Sequence, residues 1–258
     1  MILLPRKRTT IKDVRRFEKY LNKVFYTWFA DYTKKPSLDL STVRHCERTS
    51  WLSALIMDRL VDENAKLGNL LDEKSIVFWR SVALMSGLLH DTGKVVFSEK
   101  LLNYQTRLSE EDWETIIRHP NEGFCMVMEL LPKGWREEEY FVEVLNAIKM
   151  HHERWDGQLF SLEMARKNYR GGYPSGLMGD EISLVARVVK IADAYDAMVA
   201  RNRGNRNVSK ESLGYVITFR GKEFDPLLVE VFCELYHKII EPIEIYVPGL
   251  IGDESGLF

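Results

Sequence analysis

Apolar positions recur along most of this chain at steps of three and four residues, the period of an α-helix buried on one face. Phe17, Leu21, Val24, Phe25, Trp28 and Phe29 make the first such stripe, so the spacing predicts a helix over 11–31 that packs Trp28 and Phe29 onto the domain, with dimerisation as the alternative use of that stripe. Pro36 ends it. The same reading predicts helices over 42–64, 73–89, 109–131, 136–151, 182–200 and 225–240. The run Ser109-Glu-Glu-Asp112 has the form of a helix start, a hydroxyl cap followed by acids in the first turn, and a long helix bearing His119 is expected after it. Strand-like alternation is rare, so the expected fold is all-α. Six glycines and prolines crowd 157–179 and mark a loop with special backbone needs. The polar, basic run 202–207 is expected as a surface loop.

Composition narrows the function. The chain has 258 residues with 36 Lys+Arg against 38 Asp+Glu, a formal charge of -2, so bulk charge gives no attraction to a polyanion and DNA is not an expected partner. Three scattered cysteines, Cys46, Cys125 and Cys233, cannot pair fully, which fits a reducing cytoplasm better than a disulfide framework. The start, with apolar residues before the basic ones, is not a readable export signal. The most apolar segment, 81–90, has half the ~20 residues of a membrane span and runs into His90 and Asp91, so it reads as a buried helix and no span is expected.

The chemistry lies in the histidines. There are six. His90-Asp91 and His151-His152 are adjacent pairs, with His119 on a predicted helix between them. Neighbours on a helix point about 100° apart, so both members of a pair reach one site only if it is large or lies at a helix end. Two metal ions a few Å apart make such a site. Imidazole and carboxylate donors together suit Fe, Mn or Zn, where an all-oxygen set would suit Mg or Ca. Lys94 follows Asp91 by three residues and puts an ammonium near the same cluster, either as a solvated ion pair or as a cation beside a phosphate.

The ordered set HDTGK (90–94), RHPNEGF (118–124), HHERWDG (151–157), GGYPSGL (171–177) and ARVVKIADAYDAM (186–198) resembles the HD-GYP branch of the HD superfamily of metal-dependent phosphohydrolases. The resemblance runs from about residue 42 to 235. It implies an HD-domain helical bundle over 41–258 with a Gly-rich GYP loop, preceded by a short N-terminal helical extension over 1–40. It also implies hydrolysis of cyclic di-GMP to pGpG, and in some members on to GMP, by a metal-activated hydroxide. Carried over by position, the metal ligands are His45, His90, Asp91, His119, His151, His152 and Asp193, with Asp91 bridging two divalent ions, Fe or Mn. Lys94 matches the lysine that contacts the scissile phosphate. Gly172, Tyr173 and Pro174 match the loop that flanks the substrate.

Departures from the pattern carry their own expectations. Ser41 stands where some members place a glutamate for a third metal, which favours a two-metal centre. The fourteen residues 158–171 separate Gly157 from Gly172 where the family has about one, and so read as an insertion able to act as a lid, a partner surface or a reshaped pocket wall. The family's substrate-binding basic residues align with Asn202 and Asn205, and a one-residue shift brings Arg203 and Arg206 into their place. The insertion and the shifted arginines keep two alternatives beside the cyclic di-GMP phosphodiesterase. One is a member that binds cyclic di-GMP without cleaving it and signals through protein partners at the GYP loop or insertion. The other is a phosphodiesterase for another cyclic dinucleotide.

Overall fold

The structure of the protein, a computed structural model, describes residues 3–31, 38, 40–63, 76–97, 109–158, 176–201 and 207–240. Among these residues the architecture is all-α, with only two isolated β-bridges, Lys7 with Glu138 and Arg220 with Phe224. The helices are α1 (Ile11–Val24), α2 (Leu40–Glu63), α3 (Ile76–Leu89), α4 (Glu110–Ile116), α5 (His119–Leu130), α6 (Glu139–Met150), α7 (Leu184–Arg201), α8 (Val208–Thr218) and α9 (Pro226–Leu235). No helix among the described residues is long and apolar enough to cross a membrane.

Helix α1 opens on Thr10, whose side chain accepts from the Asp13 amide and donates to the Asp13 carboxylate at 2.6 Å. That exchange satisfies an amide that the first turn leaves without an intrahelical partner. Val14, Phe17, Leu21 and Val24 are buried, as the stripe requires. Beyond them Phe25–Phe29 forms a π-helical turn, closed by the Ala30 amide on the Phe25 carbonyl at 3.0 Å. The wider turn takes an extra residue. Phe25 and Phe29 therefore stay in the core while Trp28 swings out to 60% exposure, so the expectation that Trp28 packs on the domain fails where a 3.6-residue period no longer describes the backbone.

Helix α3 is the centre of the bundle. It buries Phe78, Val82, Ala83, Met85, Leu88 and Leu89 on several sides and packs against α1, α2, α6 and α7, as a helix apolar all round must. Its contact with α2 is backbone against backbone. A Cβ on Gly87 would lie 2.6 Å from Ser50 Cα and 2.8 Å from Thr49 O, and Ser50 Oγ donates to Leu84 O at 2.7 Å. His45 lies about one turn before this crossing on α2 and His90 one turn after it on α3. The contact that seats the two helices thus carries both histidines to one end of the bundle.

The stretch expected as one helix over 109–131 is two. Ser109 Oγ accepts from the Asp112 amide at 3.1 Å and starts α4, which stops at Ile116. Pro120 has no amide to give the Ile116 carbonyl, and its ring would collide with that carbonyl in a continuous helix. His119 Nδ1 donates to Ile116 O instead, at 2.7 Å, and α5 begins on His119 with Pro120 in its first turn. Helix α8, absent from the predicted elements, contains Ser209, Ser212, Gly214 and Thr218, all weak helix formers. Its stability comes from packing on α7, with Leu213 and Val216 buried.

Residues 3–31, expected as an extension, share one continuous core with the rest: Phe17 and Leu21 belong to the same cluster as Met57, Tyr140, Val189 and Phe232. Ahead of α1, the Leu3 amide donates to Asn146 Oδ1 and Asn146 Nδ2 donates to Leu3 O, each at 3.0 Å, which ties this segment to α6. Truncation of Phe17, 0% exposed, is expected to cost about 3–5 kcal/mol. Trp28→Ala should cost about 1 kcal/mol or less. Urea unfolding of Phe17→Ala and Trp28→Ala checks both, and equal losses would contradict the outward placement of Trp28.

Candidate metal centre

Each of the expected ligands reaches the end of the bundle for a local reason. His45 projects from the second turn of α2. His90 and Asp91 follow the last residue of α3, where the chain leaves the helix: Asp91 has φ -99° and ψ 5°, and a 3-10 turn, Thr92–Val96, begins after it. His151 and His152 likewise follow the last residue of α6, with ring centroids 4.2 Å apart. Two adjacent residues can face one site here because both pairs sit at helix ends. His119 begins α5 at the break that Pro120 enforces, and Asp193 comes from the middle of α7.

The turn after Asp91 is held against α5 by another backbone contact. A Cβ on Gly93 would lie 1.9 Å from His119 O and 2.5 Å from the Gly123 amide nitrogen, so only glycine allows the Asp91 turn to approach His119 this closely. The result is short polar distances. His119 Nε2 is 3.0 Å from Asp91 Oδ1, while His90 Nε2 and His45 Nε2 are 3.4 and 3.7 Å from Asp91 Oδ2. His45 Nε2 is 3.0 Å from Asp193 Oδ1. On the far side, His119 Nε2 stands 3.3 Å from His151 Nε2 and 3.2 Å from His152 Nε2.

These contacts sort the ligands into two half-sites. His45, His90 and Asp193 form one group with converging donor atoms, His119, His151 and His152 form another, and a third, His90, Asp91 and His151, joins the two at their buried side. Asp91 faces the first group with Oδ2 and the second with Oδ1.

The tautomers fit a cation. His90, His119 and His151 donate from Nδ1 to the carbonyls of Gly87, Ile116 and Ile148 at 2.7, 2.7 and 2.8 Å, and a carbonyl can only accept. In the neutral rings the lone pair is therefore on Nε2, which points into the centre. His90 Nε2 is buried with no hydrogen-bond partner, and the Nε2 atoms of His119 and His151 face each other at 3.3 Å. Such converging lone pairs in a dry core cost free energy unless a positive ion accepts them. The residues fit two divalent ions with mixed nitrogen and oxygen donors.

Electrostatics agree. Burial pushes the Asp91 carboxyl up, but the neighbouring charges, the Lys94 ammonium first among them, outweigh it and hold Asp91 well below the usual carboxylate range. Asp193 is also held well below that range, against its burial, by its bond from His45 and by nearby histidines. His151 and His152 are pulled well below the usual imidazole range by burial and by their histidine neighbours, which keeps both rings neutral and able to ligate. His45 is the exception: burial opposes its charge, yet its bonds to Asp193 and Asp196 push it up to about 10, so a cation bound at Nε2 would have to displace the proton shared with Asp193. Lys94 Nζ donates to Asp91 Oδ2, at the most open edge of the centre.

Sequence reading missed the residues behind the ligands. Asp196 Oδ2 accepts from His45 Nδ1 at 2.7 Å, and Arg48 grips the same carboxylate with Nε at 2.6 Å and Nη2 at 3.0 Å. The signal was present in the spacing: Asp196 is one turn beyond Asp193 on α7, and Arg48 is three residues beyond His45 on α2. Gly172, Tyr173, Pro174, Arg203 and Arg206 lie outside the described residues, as does the insertion after Gln158.

An all-α bundle that gathers five histidines and two aspartates in two half-sites defines a candidate dinuclear metalloprotein. The HD domain pattern matches residues 42–198, more than half of the chain, and the chain belongs to that family. Among curated relatives, it is 29% identical over 205 residues to the cyclic di-GMP phosphodiesterase of Thermotoga maritima, covering 79% of this chain and 47% of that protein. It is 31% identical to the cyclic di-GMP phosphodiesterase response regulator RpfG of Xanthomonas campestris, covering 74% and 43%. The 3'3'-cGAMP-specific phosphodiesterase 2 of Vibrio cholerae is 29% identical, covering 59% and 26%. The chain thus spans less than half the length of these relatives. A solved structure of a cyclic GMP-AMP specific phosphodiesterase from V. cholerae superimposes with a TM-score of 0.50 at 18% identity, over 80% of this chain and 47% of that one, and shows the likeness of fold.

Asp196→Asn keeps the shape but turns an acceptor of the His45 and Arg48 protons into a partial donor. It should weaken metal binding about 10–100-fold. Competition with a chromophoric chelator measures this, and unchanged affinity would show that Asp196 does not orient His45.

Proposed function

We propose that this chain is a metal-dependent phosphodiesterase that hydrolyses cyclic di-GMP to the linear dinucleotide pGpG, with GMP as the product of a second cleavage in some members of the family. The observation that carries the reading is the shared carboxylate: Asp91 stands between two groups of buried imidazoles with Lys94 beside it, in a family whose relatives named above act on cyclic dinucleotides.

His45, His90, Asp91 and Asp193 would hold one ion, and Asp91, His119, His151 and His152 the other. Two bound divalent ions supply acidification of water and neutralisation of charge on a phosphoryl group, and the donor set together with the family resemblance favours Fe or Mn. The chain's own residues do the rest. His90 and His151 are 0% exposed and close the floor of the centre to water. The partly exposed residues of the centre are Lys94, Asp193 and His45, with side-chain exposures of 27%, 18% and 14%, and His152, so a phosphodiester approaches from the side that they line. Burial tends to neutralise the Lys94 amine, but the Asp91 charge raises its pKa overall, so an ammonium waits at the rim where a phosphoryl oxygen would arrive. The segment with Gly172, Tyr173 and Pro174, together with Arg203 and Arg206, is proposed to hold the guanines and the second phosphate.

A second substrate is kept because the relative specific for 3'3'-cGAMP, over a shorter match of 153 residues, is 29% identical, the same identity as the T. maritima cyclic di-GMP phosphodiesterase over 205. We infer a cytoplasmic location from the substrate and from three cysteines that are all free. The segment after Gln158 is the proposed surface for protein partners.

The test is anaerobic incubation of metal-quantified protein with cyclic di-GMP and with 3'3'-cGAMP, following linear products by chromatography. Asp91→Ala should lower the rate about 1000-fold or more, since it removes the group shared by both half-sites and a single lost transition-state donor already costs about 100–1000-fold. Protein with two metals that cleaves neither dinucleotide would overturn the proposal and leave the binding-only reading.

A further inference from the structure

We propose that Lys190 is a positioning residue for the second half-site: it holds the His152 carbonyl and so fixes where the His152 ring stands relative to Asp193. The inference rests on the metal-centre reading above and goes beyond it, because Lys190 is not among the expected ligands or substrate-binding residues.

Lys190 is a lysine in the core, 6% exposed. Lysine is almost never this buried unless it is satisfied. Its Nζ donates to His152 O at 3.3 Å. The charged groups facing it are Glu223, Asp193, Arg154 and Glu153, and the Phe224 ring lies 6.0 Å from Nζ. Arg154 and Glu223 pair with each other at 3.1 Å. The amine therefore has one carbonyl that belongs to a ligand residue, within a wall of groups engaged elsewhere.

That carbonyl needs a donor for a structural reason. Past the end of α6 the chain turns away: the Glu153 amide goes back to Met150 O at 2.8 Å, and the amides of Trp155 and Asp156 go to the carbonyls of Glu223 and Lys222 at 3.2 and 2.9 Å. None of these three amides donates to His152 O, and the Lys190 amine does. An amine donates to it in either charge state.

The placement on α7 gives the contact its consequence. Lys190, Asp193 and Asp196 are spaced by three residues and lie along one side of the helix. Lys190 holds His152, Asp193 faces His45 Nε2, and Asp196 takes His45 Nδ1. One helix edge thus sets the position of a ligand from each half-site, and with it the separation of the two ions.

The experiment is stepwise Mn(II) titration, by EPR and calorimetry, of the wild type, Lys190→Met, Lys190→Arg, His152→Ala and the double variant Lys190→Met/His152→Ala, with the apo melting temperature of each. In the wild type two ions should bind. In Lys190→Met one of the two affinities should fall about 10–100-fold with the other unchanged. Lys190→Arg, which keeps a donor, should restore most of the loss. In the His152→Ala background, Lys190→Met should change nothing further, because a residue that acts through His152 has no one left to act on. Lys190→Gln is read in the same way if Lys190→Met does not fold. Unchanged affinities in Lys190→Met, an equal loss with or without His152, or both affinities falling together with the apo melting temperature would each overturn the inference while leaving the metal centre standing. Fewer than two ions in the wild type would overturn both.

Discussion

A carboxylate at 2% exposure, with imidazoles on both of its oxygens, is the arrangement on which the rest of this structure depends. Taking Asp91 out of water costs several kcal/mol by itself, and the core around it supplies mostly lone pairs rather than protons. The Lys94 ammonium answers part of that cost. His90 Nε2 has no hydrogen-bond partner among the described residues. The cluster is a poor way to stabilise an empty protein, and its His/Asp groups could hold metal, whose binding free energy would then return to the fold. Stability and function are in this sense linked through the same side chains.

Precision at this centre comes from backbone contacts more than from side-chain packing. Gly87 against Ser50 and Gly93 against His119 let main chain touch main chain, so there is no rotamer to adjust between the elements that carry His45 and His90, or Asp91 and His119. Helix ends then do what helix interiors cannot. The pairs His90-Asp91 and His151-His152 each aim two neighbours at one place because the chain is turning there, and the carbonyls freed in those last turns accept from the histidine Nδ1 atoms. The same leftover groups that make a helix end costly fix the tautomers that the site requires.

Most of the bundle was legible because an apolar stripe at 3.6-residue spacing is written directly in the residue order. What was not legible depended on winding or on tertiary partners. The π turn at 25–29 shifts the stripe by one residue and turns Trp28 outward, and the pattern of apolar residues contains no mark of that extra residue. The break before His119 was readable from Pro120, which forbids a continuous helix there. Helix α8 has weak intrinsic propensity and owes its existence to α7. Likewise the ligand residues stood out as histidine pairs, whereas Arg48, Lys190 and Asp196 look like ordinary surface charges until the helices are assembled around them.

The segment after Gln158 is where this chain departs most from the family pattern, and its stems explain how the departure is tolerated. Gly157 and Gly176 stand together: a Cβ on Gly157 would lie 3.4 Å from Gly176 O, and the Glu153 carboxylate accepts from the Gly176 amide at 3.2 Å. The Gly179 amide donates to Trp155 O at 3.0 Å, and Arg154 holds Asp156 with two bonds at 3.0 and 2.8 Å. Entry and exit of the loop are therefore fixed to each other and to the residues next to His151 and His152. The positions of His151 and His152 are thus set from described residues on both sides of 159–175: Glu153 and Trp155 tie the chain after His152 to Gly176 and Gly179, ahead of the helix that carries Asp193.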